Sequence, residues 1–414
     1  MFASPNALAR PELMMRHNSS VSSIYPPPQS PGINEPGQRQ MYGTISNATY
    51  PQSTPESFAK PDPPTYYAAG GVNLTNPVNT GDDHDLPPYD LQHNLVDLYF
   101  KHINTWCPIL HRRSTLDTLF GTSRLDDEDR IVLHALVAVT LRFSNDTRLS
   151  EEAKRRYYET SKEKVLLYGF ENSSVKTIQA LVILALDLTG SSNGPRGWNI
   201  LALIARSAVQ LGLSIEVTSP AVAPRFPSIY TLRAMVLPEP GTWIEEETRR
   251  RLFWMVYIMD RYTTITTAFD FAVDEKEIDR RLPCRDDLFV KNQSVETRWF
   301  RNKDRTDWSE NSDNLGSFSY YVEVIGIMSR IHEFLKIPID IMALSDVEQW
   351  QKQYRELDAT LTSWKNSLPK EYNSTAQLFD NATSKNINCG WIMLHATYHT
   401  YVKVLEHSSP IHLC

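Results

Sequence analysis

The sequence predicts an all-α protein, a multi-helix body preceded by a long N-terminal tail without a core of its own. Three observations carry this. From Tyr89 onward apolar residues recur largely at steps of three and four, beginning with Leu91, Leu95, Leu98, Tyr99 and Ile103, the spacing of one helix face. No stretch shows the sustained alternation and β-branched enrichment of a sheet. The composition also splits: all nine Trp lie at or beyond Trp106, whereas 15 of the 26 Pro lie at or before Pro88. Residues 1–88 are rich in Pro, Ser, Asn, Gln and Gly, with isolated tyrosines and a short Pro26-Pro27-Pro28 run. Such a segment buries too little surface to offset its ordering entropy and is expected to be a disordered linker. Residues 89–414 form the body.

Each helix has a local cause. Asp126-Asp127-Glu128-Asp129 places acids where the helix dipole favours them, ahead of an apolar helix over 131–143. Ser150-Glu151-Glu152 starts a charged helix reaching about residue 170. Ser174 precedes a nearly all-apolar helix over 178–188, expected to be the most buried. Gly194-Pro195-Arg196-Gly197 breaks the chain before a helix over 198–213. Residues 214–241 hold five Pro and read as a surface excursion. A helix over 242–269 opens with the capping-box pattern Thr242-x-x-Glu245. Its acids Glu245, Glu246 and Glu247 each stand four residues before an arginine, giving three salt-bridge-spaced pairs expected on an exposed face. Asp274-x-x-Glu277 starts a short helix, and 284–313 read as a polar loop. Helices at about 316–336, 346–366 (capped by Ser345 and Glu348) and 386–407 complete roughly ten. No fixed-period repeat is present, which argues against a simple solenoid.

Composition excludes several functions. A net charge of −7 repels a phosphate backbone on average, so the chain does not read as a stand-alone nucleic-acid binder. The longest apolar runs, 131–141 and 178–188, are far shorter than the roughly 20 residues of a membrane span, and polar residues interrupt both. The four cysteines, Cys107, Cys284, Cys389 and Cys414, include no pair at metal-knuckle spacing and read as small buried thiols.

No catalytic set emerges. The acidic clusters at 82–85 and 126–129 could suggest the magnesium sites of an all-α lyase, but such chemistry needs carboxylates converging from two helices. The second cluster is explained by its helix start. His395 and His399 lie four apart without a third ligand and read as packed or surface side chains. Lys154-Arg155-Arg156 and Arg249-Arg250-Arg251 are short basic runs preceded by acids, and read as solvated faces or ion-pair ladders. Asp260-Arg261 differs, because it interrupts an apolar helix. At least one of the pair should point inward and need a partner, expected on another helix because neighbours in sequence do not face each other.

The order of residues in this helix says more. Glu247-x-x-Arg250-Arg251-x-Phe253-Trp254-x-x-Tyr257-x-x-Asp260-Arg261, followed by Ile278-Asp279 and Leu282-Pro283, resembles the central motif of the fungal-specific transcription factor domain. This is the "middle homology" regulatory region of fungal zinc-cluster regulators, also named for xylanolytic activators. Upstream, 95–103 with Pro108-Ile109-Leu110-His111 looks like the opening of that family, and 205–213 ends in the similar Leu-Gly-Leu step. Ala268-Phe269-Asp270 stand where the family often has Gly-Arg-Pro.

The resemblance implies a nuclear regulator of transcription rather than an enzyme. It makes Pro108, His111, Arg250, Arg251, Trp254, Asp260, Arg261, Asp279 and Pro283 signature positions of the fold, with no catalytic, cofactor or metal role. Complete relatives bind DNA through an N-terminal six-cysteine zinc cluster, which four scattered cysteines cannot build. Zinc and DNA contact therefore belong to a module missing from this chain. A truncated product or incomplete gene model, short of its last helices, is the expectation. Implied partners are the transcription machinery or a regulatory protein, a small-molecule effector, and a second copy in a homodimer, with no membrane. The alternatives are a helical protein-interaction scaffold and an all-α metal-dependent lyase.

Overall fold

The computed structural model describes residues 85–192, 194–218, 237–265, 269–300, 312–373 and 389–407. A separate unit, Met1–Val78, lies outside these residues, as does nearly all of the expected linker. Within 85–88, Leu86 already joins the core.

Twelve α-helices and no strands occur among the described residues. α1 (Tyr89–His102) buries Leu91, Leu95, Val96, Tyr99 and Phe100, a stripe at three- and four-residue steps. α2 (Arg112–Phe120) had no counterpart in the sequence reading, because it buries only Leu119 and carries little periodicity. α3 (Asp127–Thr140) is capped by the Asp126 carboxylate, which accepts from the Asp129 N–H at 2.7 Å. It tightens into a 3₁₀ turn over Leu141–Phe143, where the sequence suggested a continuous helix. The hydroxyls of Ser150 and Ser174 cap α4 (Glu151–Glu171) and α5 (Val175–Ser191). α6 (Pro195–Gln210) starts three residues earlier than expected. Pro195 opens the helix rather than breaking it, since a first-turn proline gives up only an N–H that would have no helical partner. α6 stops at the Leu-Gly-Leu step, where Gly212 takes a φ of 71° and Leu213 N–H returns to the Ala208 carbonyl at 3.0 Å.

α7 (Trp243–Ile265) is the next long helix. The Glu245 N–H donates to the Thr242 hydroxyl at 3.2 Å, and the Glu245 carboxylate accepts from the Gly241 N–H at 2.9 Å. The return arm of the expected capping box thus reaches one residue further back. The short helix expected from Asp274 is a 3₁₀ turn, Glu275–Glu277, with Asp274 as its cap. The expected polar loop 284–313 is corrected across its described part. It contains α8 (Asp286–Val290), whose Leu288 and Phe289 form a small second core with Cys284 against Trp243 and Ile244. Thr297, Arg298 and Phe300 are also buried. Likewise, Ser214, Ile215 and Glu216 at the start of the expected surface excursion are buried, because Glu216 and Asp279 exchange backbone bonds with each other's segments.

α9 (Ser317–Lys336), α10 (Leu344–Ser367), the single turn α11 (Lys370–Asn373) and α12 (Cys389–His407) follow. Ser345 does not cap α10. The helix starts before it, after Ala343, and the Ser345 hydroxyl bonds the Asp346 carboxylate instead. Cys107 and Cys284 are buried as expected, whereas Cys389 is exposed at the start of α12.

Two central helices organise the packing. α5 is buried from Thr177 through Ala185 and is flanked by α3, α4, α6 and α7. α9 is buried nearly throughout and touches α7, α10 and α12. α7 joins the two groups. Gly326 permits the close approach of α9, since a Cβ there would lie 2.8 Å from the Phe300 ring and 3.5 Å from the Tyr257 hydroxyl. Overpacking such a contact costs about 1–3 kcal/mol. Gly326→Val should therefore lower the midpoint of chemical unfolding with an unchanged slope, and an unaltered midpoint would contradict the close approach.

A candidate regulatory core around α7

The site is built outward from α7. Consecutive residues on a helix are about 100° apart, so three neighbouring arginines fan around it rather than share one face. Each takes the glutamate four residues before it, as the spacing suggested: Arg249 with Glu245, Arg250 with Glu246, Arg251 with Glu247. The expected exposure is corrected, because Arg249, Arg250, Arg251 and Glu247 are all buried. Arg249 also donates to the Pro238 carbonyl at 2.7 Å.

Glu247 is the hinge of the network. One carboxylate oxygen accepts from Arg251 Nε at 2.9 Å and from the Cys284 N–H at 2.8 Å, while the other accepts from Arg250 Nη1 at 2.5 Å. Arg250 continues to the buried Glu216, whose carboxylate also accepts from the Arg281 N–H at 3.2 Å. Burial opposes ionisation of Glu216, but Arg280 and Arg250 outweigh it and hold the carboxyl at about 2. Burial and a hydrogen bond to Glu216 push the neighbouring Glu246 upward. Burial also lowers Arg280 to about 10 despite Glu216, while its Nη1 donates to the Ile215 carbonyl at 2.7 Å. Arg251 donates to the Cys284 carbonyl and to Asp286, both at 2.7 Å, and to the Pro108 carbonyl at 3.4 Å. Its guanidinium stacks over Phe289 at 4.2 Å.

The signature positions fall into this frame. Pro108 presents its carbonyl to Arg251. His111 caps α2, with Nδ1 2.7 Å from the Ser114 hydroxyl, and its ring packs against Phe289. Asp279 is buried, and its N–H donates to the Ser214 carbonyl at 3.0 Å. The Pro283 carbonyl accepts from the Ser319 hydroxyl of α9 at 2.6 Å. Trp254 is fully buried, packs on Phe300 with ring centroids 4.6 Å apart, and donates from Nε1 to the Arg281 carbonyl at 2.8 Å. The return segment after α7 is therefore held by backbone groups that α7 side chains read directly.

Asp260 and Arg261 are both buried, and they pair with each other, Arg261 Nη1 lying 2.5 Å from Asp260 Oδ2. The expectation of a partner on another helix holds for Arg261, which reaches Ser329 of α9, whereas the two neighbours also pair with each other, against the expectation. The two side chains curl toward the same outside point, the backbone of 272–273. The Asp260 carboxylate accepts from the Ala272 and Val273 N–H groups at 3.0 and 3.1 Å, and Arg261 donates to the Val273 carbonyl at 2.8 Å. Arg261 Nε also reaches the Ser329 hydroxyl of α9 at 3.1 Å, and its guanidinium lies between the Tyr257 and Phe271 rings.

A second buried charge centre was not foreseen. Arg298 forks onto Glu323 of α9 with contacts of 2.6 to 2.8 Å, and the same carboxylate accepts from Trp364 Nε1 of α10 at 3.1 Å. The available signal was Glu323 itself, the single acid in the otherwise uncharged run from Ser317 to Ser329. His395 is buried with its Nε2 2.9 Å from the Tyr372 carbonyl, whereas His399 is exposed. No group of three or more His, Cys, Asp or Glu among the described residues is arranged to hold a metal ion, and no described helix is long and apolar enough to cross a membrane. The arrangement is a set of charged clamps that fixes loops to helices.

Two outcomes follow. Removing one member of a buried pair costs about 3–5 kcal/mol, so Asp260→Ala should lower unfolding stability on that scale by stranding Arg261 and two N–H groups; a loss below about 1 kcal/mol, the range of exposed pairs, would refute the clamp. The second outcome concerns acid. Burial holds His134 and His395 at about 4 against an ordinary 6.5, and Glu216 is held at about 2 against 4.5. In each case the unfolded chain binds the proton first as pH falls, so stability drops with pH. Thermal midpoints should decline between pH 6.5 and 4 through the histidines, and further from 4.5 toward 2 through Glu216. A midpoint constant from pH 7 to 4 would exclude the neutral buried histidines.

Comparison with known proteins places this core in a family. The model of the fungal specific transcription factor domain matches residues 96–366, from within α1 to the end of α10. An uncharacterized transcriptional regulatory protein of Schizosaccharomyces pombe is 24% identical over 328 residues, covering 76% of this chain and 32% of the relative. A notoamide biosynthesis cluster transcriptional coactivator of Aspergillus versicolor is 22% identical, covering 79% and 60%. A Zn(2)-C6 fungal-type transcription factor of Fusarium oxysporum f. sp. lycopersici is 20% identical, covering 75% and 33%. The chain thus spans less than two thirds of the length of each. No solved structure matches it. With more than half of its length, including the whole α7 core, matched by one family model, the chain belongs to the fungal specific transcription factor domain family.

Proposed function

We propose that this chain acts in the nucleus as the regulatory body of a fungal transcription factor, restraining or releasing an activation function in response to a small-molecule effector or a regulatory protein. The observation that carries the reading is the continuous family match over 96–366, which covers α7 and both buried charge centres. The chemistry supports it. Most of the buried ionic groups described above fix backbone segments, and Arg298, Glu323 and Trp364 tie side chains of separate segments together, an arrangement that builds a shaped scaffold. DNA contact and zinc belong to a separate module, because the four cysteines of this chain have no cluster spacing. The transcription machinery is the readout, and a second copy of the chain is the further partner in this reading.

The test is a fusion of the chain to an unrelated DNA-binding domain on a reporter promoter in a fungal host. Reporter output should differ from that of the DNA-binding domain alone, in either direction, at matched nuclear abundance. Output indistinguishable from the control at equal abundance would overturn the regulatory role.

A further inference from the structure

One side of α7 remains unused by the clamps. Met255, Ile258, Met259 and Tyr262 follow each other at steps of three, one and three, a single stripe on the helix. They line a cavity of about 330 Å³. Trp106 and Trp198 contribute to its wall, with Leu186 and Thr189 from α5, Tyr321 from α9 and Met393 from α12. Its rim includes Gly190, Gly194 and Gly197, of which the first two have no atom within 4 Å of where a Cβ would project.

Three features define what this space accepts. None of the described residues lining it is Asp, Glu, Lys, Arg or His, so a charged molecule would lose its hydration without a counter-ion. Trp106, Trp198, Tyr262, Tyr321 and three methionines give the wall flat faces and adaptable thioethers that suit an aromatic or polycyclic body. Tyr321 is 3% exposed, and its hydroxyl, which stands beside those of Tyr262 and Thr397, makes no bond of good geometry to either. The neighbouring Tyr262 hydroxyl is already engaged by Thr397 at 2.9 Å. A buried phenol without a well-formed hydrogen bond costs free energy that a ligand could recover.

We propose that the cavity between α5, α6, α7, α9 and α12 binds an uncharged aromatic or polycyclic molecule carrying one hydroxyl or carbonyl, which bonds the Tyr321 hydroxyl. This rests on the effector-responsive reading above and names its site and ligand class. The size lies at the lower end of the few hundred Å³ of drug-sized pockets, so the ligand is of two or three fused rings. Binding there spans helices of both packing groups, and occupancy would stabilise the folded body as a whole.

The purified full chain is titrated with 2-naphthol and with naphthalene, reading quenching of tryptophan emission and the thermal midpoint. Both probes should bind saturably at one site and raise the midpoint. Met393→Trp, which fills the cavity from its half-buried side, should weaken both at least tenfold. Tyr321→Phe should weaken 2-naphthol roughly three- to tenfold, the worth of one neutral hydrogen bond, and leave naphthalene unchanged. Absence of saturable binding, or parental affinity for both probes in a folded Met393→Trp, would overturn the site. Should Met393→Trp fail to fold, the Tyr321→Phe comparison decides: equal effects on the two probes, or none on 2-naphthol, would overturn the assignment. Because these measurements need no reporter, their failure is distinct from failure of the regulatory role.

Discussion

The structure depends on a carboxylate with no access to water. Glu247 sits one turn into α7 and divides its two oxygens among Arg250, Arg251 and the Cys284 N–H. Taking such a group out of solvent costs several kcal/mol, which is offset only when every lone pair is met. Here each guanidinium it holds is also held elsewhere. Arg250 ends on Glu216, before the helix, and Arg251 on Asp286 and the Pro108 carbonyl, after and before it. Four segments distant in sequence therefore meet at one acid. Shifting α7 by one residue would turn Glu247 by about 100° and strand all of these partners at once, which an apolar helix face would not do. The network sets the register of the helix more than it adds net stability.

The same logic recurs along α7 with a different balance. At Asp260 and Arg261 the charges neutralise each other and hold the backbone of 272–273, with Arg261 Nε left for the Ser329 hydroxyl of α9. At Trp254 an uncharged donor reaches the Arg281 carbonyl. Together these pin the irregular segment 271–285 along the helix, although that segment has only short 3₁₀ structure of its own. Irregular backbone can be buried when side chains replace the missing ladder of hydrogen bonds. The second centre, Arg298 with Glu323 and Trp364, does the same for the segment before α9 and ties in α10.

Much of this was legible in the sequence, and the omissions have physical causes. Helix positions came from apolar spacing and from Ser, Thr and Asp caps, signals local enough to read directly. The Glu–Arg pairing along α7 was readable for the same reason. Its burial was not inferred, yet three adjacent pairs span most of the helix circumference, so a half-buried helix could not have exposed them all. The roles of Glu216 and Arg280 depend on contacts across 34 and 65 residues and leave no local pattern. α2 and α8 escaped because short helices with one or two buried residues carry almost no periodicity. The Asp260–Arg261 pairing escaped through a rule about facing side chains that holds for short ones; a guanidinium on a long stem can fold back to its neighbour.

α7 thus has two working stripes. Arg250, Trp254, Tyr257 and Arg261 lie on the one that clamps the return segment, while Met255, Ile258, Met259 and Tyr262 lie on the one facing the cavity. The stripes are offset by one residue, about 100°, on a single rigid element. A molecule in the cavity can bias the body only to the extent that it binds two arrangements with different affinity. Clamps that each cost kilocalories to break make small continuous shifts of α7 unfavourable. Any response must then be a discrete movement of α7 together with the segment it holds, or a change in stability without movement. In both cases α9 is the neighbour that receives it, because Tyr321 faces the cavity side while Ser329 is bonded to Arg261 on the clamp side. The wiring that makes the helix hard to displace is what would make its displacement, once forced, reach the far side of the bundle.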